Sequence, residues 1–278
     1  MKVLTKTSEL REALAQRPRG TVGLVPTMGA LHNGHRSLIE RCRRECDTVV
    51  VTDFVNPTQF NDKNDLRNYP RTLESDCLLA EAAGADILFA PTVEEVYPEP
   101  DNRTFPLGGV GEVMEGASRP GHFNGVCQVV SRLFVMTNPD RAYFGEKDFQ
   151  QIAVIKAMVR LEGFKIQIVE CPIVREADGL ALSSRNRLLD APHRTAAPHI
   201  FEVLSAAQQK VGELSPSRLE AWVTGEIERN PLLKVVYFNI VDSLSMQRVG
   251  AWDDATAVQG CITVQAGAIR LIDNIKLK

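Results

Sequence analysis

Val22-Gly23-Leu24-Val25-Pro26-Thr27-Met28-Gly29-Ala30-Leu31-His32-Asn33-Gly34-His35 runs from an apolar stretch through a glycine-containing turn into a histidine-bearing helix start. An unbroken apolar run such as Val22–Val25 reads as a strand buried on both faces, and Pro26, which has no N–H to give a ladder, is predicted to end it. A helix is predicted from about Gly34, because Leu38, Ile39 and Cys42 share one face at i, i+1 and i+4. Strand, tight turn and helix in this order form the first half of a βαβ unit.

The pattern repeats outward from this segment. Thr48–Val55 is a second predicted strand, stopped by Asn56 and Pro57, and Ala85–Ala90 a third, stopped by Pro91. Between them Leu73, Cys77 and Ala80 mark an amphipathic helix ending near Gly84. Val126, Val129, Val130, Leu133, Phe134 and Thr137 recur with helical period until Asn138 and Pro139. Arg141–Phe144 is then a strand, Asp148–Leu161 a helix stopped at Gly163, and Lys165–Val169 a strand. This alternation predicts an α/β fold, a Rossmann-like doubly wound parallel sheet whose ligands bind beyond the carboxyl ends of its strands. After about Pro172 the rhythm changes: helices at Ala196–Val211 and Ser217–Arg229 precede short strands at Val235–Val241, Cys261–Gln265 and Ala268–Ile272. A smaller C-terminal α+β domain is expected, with domains at 1–174 and 175–278.

Composition narrows the class. The 278 residues are 44% hydrophobic and 24% charged, enough for a sizeable core without metals or disulfides. A formal net charge of -3 gives no basic field for nucleic acid, and the run around Arg41, Arg43 and Arg44 reads as a solvated helix face. The six cysteines are irregularly spaced, and Cys42 and Cys46 have no second Cys or His pair near them in sequence to complete a tetrahedral metal site, so reduced core thiols are expected. No apolar run approaches the roughly 20 residues of a membrane span, and the start of the chain carries no secretory signal. A cytoplasmic location is expected.

Four segments carry chemistry. In the first, His32 and His35 lie three apart at a helix start, so both imidazoles share a face beside unpaired N–H groups and the positive end of the helix dipole. That suits triphosphate oxygens; a chance pattern on a surface turn is the plainer alternative. In the second, Asn56-Pro57-Thr58-Gln59-Phe60, Gln59 offers donor and acceptor to a hydroxy acid, against a simple Asn-Pro turn. In the third, Gly145-Glu146-Lys147-Asp148-Phe149-Gln150-Gln151, Lys147 can neutralise phosphate and Asp148 can cap the helix or bind a ribose hydroxyl, with Gln151 one turn further on. In the fourth, Leu182-Ser183-Ser184-Arg185-Asn186, two hydroxyls and a guanidinium form either a phosphate clamp or an ordinary serine-rich loop.

Pro26–His35, Asn56–Phe60, Arg119-Pro120-Gly121-His122-Phe123, Gly145–Gln151, and Arg175–Gly179 with Leu182–Asn186 together resemble the pantothenate synthetase family, in order and across nearly the whole chain. The family belongs to a nucleotidyltransferase superfamily with a His-x-Gly-His signature; many of its members carry Met where this chain has Leu182. The resemblance implies ATP-dependent joining of pantoate to β-alanine through a pantoyl adenylate, with AMP and pyrophosphate released. It implies that 1–174 binds nucleotide and pantoate while 175–278 acts as a lid. By the same resemblance His35, His32, Lys147 and Arg185 are catalytic, with Ser183 and Ser184 also on the phosphates. Pro26, Thr27, Met28, Gly29, Gly145, Asp148, Val174 and Leu182 complete the ATP site, and Gln59, Gln151 and Asn56 orient pantoate or β-alanine. It further implies magnesium accompanying ATP, with no protein ligand assigned, and a homodimer. Arg119 and His122 are left between a structural and a gating role. A nicotinamide- or pantetheine-directed nucleotidyltransferase is the nearest alternative and would transfer AMP to a phosphate with no second acyl acceptor. A non-catalytic nucleotide-binding protein is the other, and the presence of His32, His35, Lys147, Ser184 and Arg185 argues against it. A tRNA synthetase is disfavoured by size and charge.

Overall fold

A computed structural model describes residues 1–278. The chain forms two compact units: Met1–Leu107 with Ser118–Glu146 and Val154–Pro172, and Gly108–Ala117 with Lys147–Ala153 and Ile173–Lys278.

The first unit is built on β1 (Lys2–Leu4), β2 (Val22–Thr27), β3 (Thr48–Asp53), β4 (Ile87–Phe89), β5 (Arg141–Gly145) and β6 (Gln167–Cys171). All neighbours pair in parallel, in the order β1-β4-β3-β2-β5-β6. Without the short edge strand β1 this is the doubly wound order, reversing direction between β2 and β5. Val25, Val49, Val51 and Leu88 share a cluster with Leu38, Ile39 and Cys42 of the helix Asn33–Glu45. Leu24 and Val50, one residue out of phase, are fully buried on the opposite face, so the central strands are apolar throughout rather than alternating.

Two local expectations change here. Pro26 does not end its strand; it stays in register with Thr52. Its nitrogen points to the β5 side, where pairing has already stopped at Leu24, so no ladder bond is lost. The arginine run is also not a solvated face. Arg41 donates to the Glu170 carbonyl at 2.6 Å, and Arg43 reaches Asp86 at 2.7 Å and the Asp47 carbonyl at 2.6 Å, so both are half-buried and only Arg44 is exposed.

The second unit carries an antiparallel sheet of β7 (Leu233–Asp242), β8 (Val258–Ala266) and β9 (Ile269–Lys276). Ile200, Val203, Leu204 and Ala207 of the helix His199–Gln208 and Leu219, Val223 and Ile227 of the helix Pro216–Glu228 pack into its core. The helix predicted over Ala196–Val211 is His199–Gln208, with Pro198 at its N-cap, and a separate short helix, Ala191–Ala196, precedes it.

The unit also gathers two short segments that lie before residue 174, so the chain divides less simply than one cut at 174/175. Glu115 explains the first. Its buried carboxylate accepts from Arg270 at 2.6 Å, Tyr237 at 2.9 Å and Thr263 at 3.0 Å. Burial alone would raise the Glu115 carboxyl, but the guanidinium and the two hydroxyls outweigh it and hold it below its ordinary value. Asn274 explains the second, donating to the Lys147 carbonyl at 3.1 Å.

Candidate active site

The turn after β2 is held tightly. Thr27 donates its hydroxyl to the Thr52 carbonyl at 2.5 Å and accepts from Gly29 N–H at 3.2 Å. Gly29 has φ +75°, and a Cβ there would fall 2.3 Å from Asp53 Oδ1, so only glycine fits. Ala30 follows in the left-handed region at φ +50°, a conformation that costs an L-residue roughly 1–2 kcal/mol. Asp76 offsets this, accepting from Ala30 N–H at 2.9 Å and Leu31 N–H at 2.7 Å.

This turn delivers the two histidines. His32 is the N-cap of Asn33–Glu45, and its Nδ1 accepts from Gly34 N–H at 3.1 Å. His35 Nδ1 accepts from His32 N–H at 3.3 Å, and the ring centroids lie 4.0 Å apart. Because both Nδ1 atoms act as acceptors, each neutral ring carries its proton on Nε2. Nε2–H is therefore the donor that each imidazole offers, as a phosphate-binding group requires. The same side chains thus order the backbone of the helix start.

Asn56 and Gln59 follow β3. The Asn56 amide donates to Gln59 Oε1 at 3.1 Å and to the Gly125 carbonyl at 3.2 Å, and Asn56 Oδ1 accepts from the Tyr97 hydroxyl at 2.9 Å. Gln59 Nε2 lies 3.1 Å from Met28 Sδ, so the first and second motifs meet side chain to side chain. Arg119 and His122 act on the same residue: His122 Nδ1–H donates to the Gln59 carbonyl at 2.8 Å, and Arg119 Nη1 lies 3.2 Å from His122 Nε2. Both side chains thus brace the backbone that carries Gln59. Gly125 permits the approach, a Cβ there falling 2.4 Å from the Thr58 carbonyl oxygen. Gly145 closes β5 beside open space. A separate cavity of 570 Å³, lined by Thr7, Arg11, Glu94, Glu95 and Arg132, contains none of the expected site residues.

The second unit holds the remaining candidates. Lys147 and Asp148 lie in the short helical turn Glu146–Asp148, with Nζ 3.8 Å from Oδ1, and Gln151 is half-buried in the first turn of the helix Phe149–Glu162. The Lys147 backbone is fixed through Asn274, whose Oδ1 accepts from Gln259 at 2.7 Å. Gln150 is buried and structural: it donates to the Val110 and Val113 carbonyls at 2.9 and 2.8 Å. Leu182 N–H donates to the Val174 carbonyl at 3.0 Å, and Ser183 caps the short helix Ser184–Leu188 by accepting from Arg185 N–H at 3.3 Å. Asn186 braces this loop through Glu176 at 2.9 Å and the Ala181 carbonyl at 3.0 Å, while Arg194 binds Glu176 and Asp178 at 2.7 and 2.6 Å. Arg175 is paired to Asp273 at 2.6 and 2.9 Å and stacks on Phe201.

Sequence reasoning missed the supports Asp76 and Asn274, and gave Asn186 no role of its own within its segment. A signal existed for one of them. Asp76 shares the apolar face of Leu73, Cys77 and Ala80, and an acid on a buried helix face needs a donor to satisfy.

The chain matches the family described as Pantoate-beta-alanine ligase over residues 2–276. It is 55% identical over 278 residues to the pantothenate synthetase of Porphyromonas gingivalis, with 99% of each chain covered. The crystal structure of pantothenate synthetase from Thermus thermophilus superposes with a TM-score of 0.93 at 43% identity, covering 100% of this chain and 99% of that one. Pantoate-beta-alanine ligase from Francisella tularensis, complexed with beta-gamma ATP and beta-alanine, gives 0.82 at 33% identity, covering 100% and 98%.

Proposed function

The chain belongs to the pantoate–β-alanine ligase family, making it a ligase of pantothenate biosynthesis, and from that membership we propose the two-step chemistry by which it works. A pantoate carboxylate oxygen attacks the α-phosphorus of ATP, the α–β bridging P–O bond breaks, and pyrophosphate leaves. The β-alanine amine then attacks the acyl carbon of the adenylate, the acyl–oxygen bond breaks, AMP leaves with that oxygen, and the nitrogen sheds its proton to water. The carboxylate is itself the nucleophile, so the chain supplies position and charge rather than a covalent partner.

The observation that carries this reading is the pair of imidazoles presenting Nε2–H at the carboxyl end of β2, where the strand order reverses. In this reading His32 and His35 donate to phosphate oxygens, with His35 the proton donor as charge develops. Lys147, Ser183, Ser184 and Arg185 hold the phosphates. Pro26, Thr27, Met28, Gly29, Gly145, Asp148, Val174 and Leu182 line the nucleotide, and Asn56, Gln59 and Gln151 orient pantoate. The Asn56–Gln59 bond supports that last role, because it holds the Gln59 carboxamide in one orientation.

Magnesium accompanies ATP in this scheme and neutralises phosphate charge. Its ligands would be mainly phosphate oxygens and water, with no protein ligand assigned. No helix is long and apolar enough to cross a membrane. The six unpaired cysteines, five of them buried, suit a reducing cytoplasm. The homodimer implied by the family resemblance completes the reading, and sedimentation equilibrium tests it.

The purified chain should convert ATP, pantoate and β-alanine to pantothenate and AMP, with AMP release dependent on β-alanine. AMP transfer to a phosphate acceptor instead would identify the nucleotidyltransferase alternative.

A further inference from the structure

Asp76 lies 1% exposed on the helix Leu73–Ala82, yet its carboxylate faces three donors. Oδ2 accepts from Ala30 N–H at 2.9 Å and from the Thr72 hydroxyl at 3.0 Å, and Oδ1 accepts from Leu31 N–H at 2.7 Å. The two N–H groups belong to the residues immediately before His32, and one of them is the left-handed Ala30. Beside it sits a second carboxyl, Asp53, at the end of β3 and pressed against Gly29.

We propose that Asp76 is a positioning residue for the paired imidazoles, acting as the charged acceptor that sets the turn, while Asp53 serves it as a protonated donor. Two carboxylates buried side by side do not both stay ionised. Asp76 already accepts three hydrogen bonds, which only the ionised form satisfies fully, so the shared proton belongs on Asp53. Burial, and then the charge of Asp76, pushes the Asp53 carboxyl up to about 6, so Asp53 holds the shared proton below that pH and gives it up above it. The pair is thus asymmetric, and the asymmetry is what can be tested. An amide mimics a protonated carboxyl as a donor, so Asp53→Asn preserves the arrangement. At position 76 an amide turns its NH₂ toward an N–H, so Asp76→Asn breaks it.

The inference rests on the proposed role of His32 and His35, and the experiment separates the two. Below about pH 6, where Asp53 keeps its proton, pantoate-dependent exchange of pyrophosphate into ATP is measured beside the ring-nitrogen NMR signals of the histidines, for Asp76→Asn, Asp53→Asn and Thr72→Val, with His35→Ala as control. Asp76→Asn is expected to lower the exchange kcat by ~10-fold or more, the scale of a misplaced reacting group, with the β-alanine KM of the full reaction unchanged. Its His32 and His35 signals should move. Asp53→Asn should stay within about twofold of wild type with those signals in place, since its donor is kept. Thr72→Val, which removes one donor and no backbone contact, should cost about threefold, the worth of one hydrogen bond. Equal losses in Asp53→Asn and Asp76→Asn, or wild-type exchange and unmoved signals in Asp76→Asn, overturn the proposal. Should Asp76→Asn fail to fold, wild-type exchange and unmoved signals in Thr72→Val overturn it. If His35→Ala exchanges normally, the reading of the imidazoles falls, and the ring signals alone then decide whether Asp76 sets the turn.

Discussion

His35→Ala separates what the imidazole does for the fold from what it does for the reaction. In the folded chain His35 accepts one backbone hydrogen bond, from His32 N–H at 3.3 Å, and packs on the His32 ring at 4.0 Å. Losing one such bond at a half-buried helix start costs about 1 kcal/mol, because water can replace the acceptor. The rest of the turn stays pinned by Asp76 and Thr27, and His32 still caps the helix through Gly34. Catalysis should suffer more. A positioned proton donor contributes ~10²-fold, which at 1.36 kcal/mol per decade is about 2.7 kcal/mol of transition-state stabilisation. Adenylate formation should therefore fall ~10²-fold in pantoate-dependent pyrophosphate–ATP exchange while stability in urea drops by only about 1 kcal/mol. Unchanged exchange by a folded variant would refute the role. A stability loss as large as the catalytic one would refute the separation.

Three further outcomes follow from other contacts. Gln59→Ala removes the carboxamide but leaves Asn56 bonded to Gly125, so the pantoate KM should rise about tenfold with kcat less affected; initial-rate kinetics with an unchanged KM would count against it. Glu115→Gln keeps acceptors for Tyr237 and Thr263 but removes the charge facing Arg270, and should destabilise the second unit by about 2 kcal/mol in urea unfolding. Because the folded Asp53 pKa of about 6 lies above the unfolded value, its contribution to stability is full below about pH 4 and lost as pH rises through about 6. Wild type should therefore lose stability relative to Asp53→Asn as pH rises across that window, and a difference independent of pH would contradict the shift.

The strands that carry the site were legible because they are buried on both faces. Val22–Val25 has no polar side chain and Thr48–Val55 is rich in β-branched residues and stopped by Asn56 and Pro57, and both are strands here, at Val22–Thr27 and Thr48–Asp53. The histidine pair was legible for a different reason: i and i+3 spacing at a helix start fixes a shared face whatever the surroundings. What escaped is what depends on contacts distant in sequence. Lys2–Leu4 is only three residues long and mostly exposed, too short for periodicity to register. Glu115 draws its segment to β7, β8 and β9 through partners more than 120 residues away. Asp76 lies 46 residues from Ala30, and no local pattern links an acid on one helix to the turn before another. Arg41 and Arg43 look like any surface arginines until the carbonyls they reach are in place.

The central claim is that the pantoate carboxylate attacks the α-phosphorus. Pantoate labelled with ¹⁸O in its carboxyl group, turned over with ATP and β-alanine, tests it directly by mass spectrometry of the products. One ¹⁸O atom is expected in AMP and none in pyrophosphate. Label in inorganic phosphate formed alongside ADP would contradict it, because the oxygen would then have attacked the terminal phosphorus.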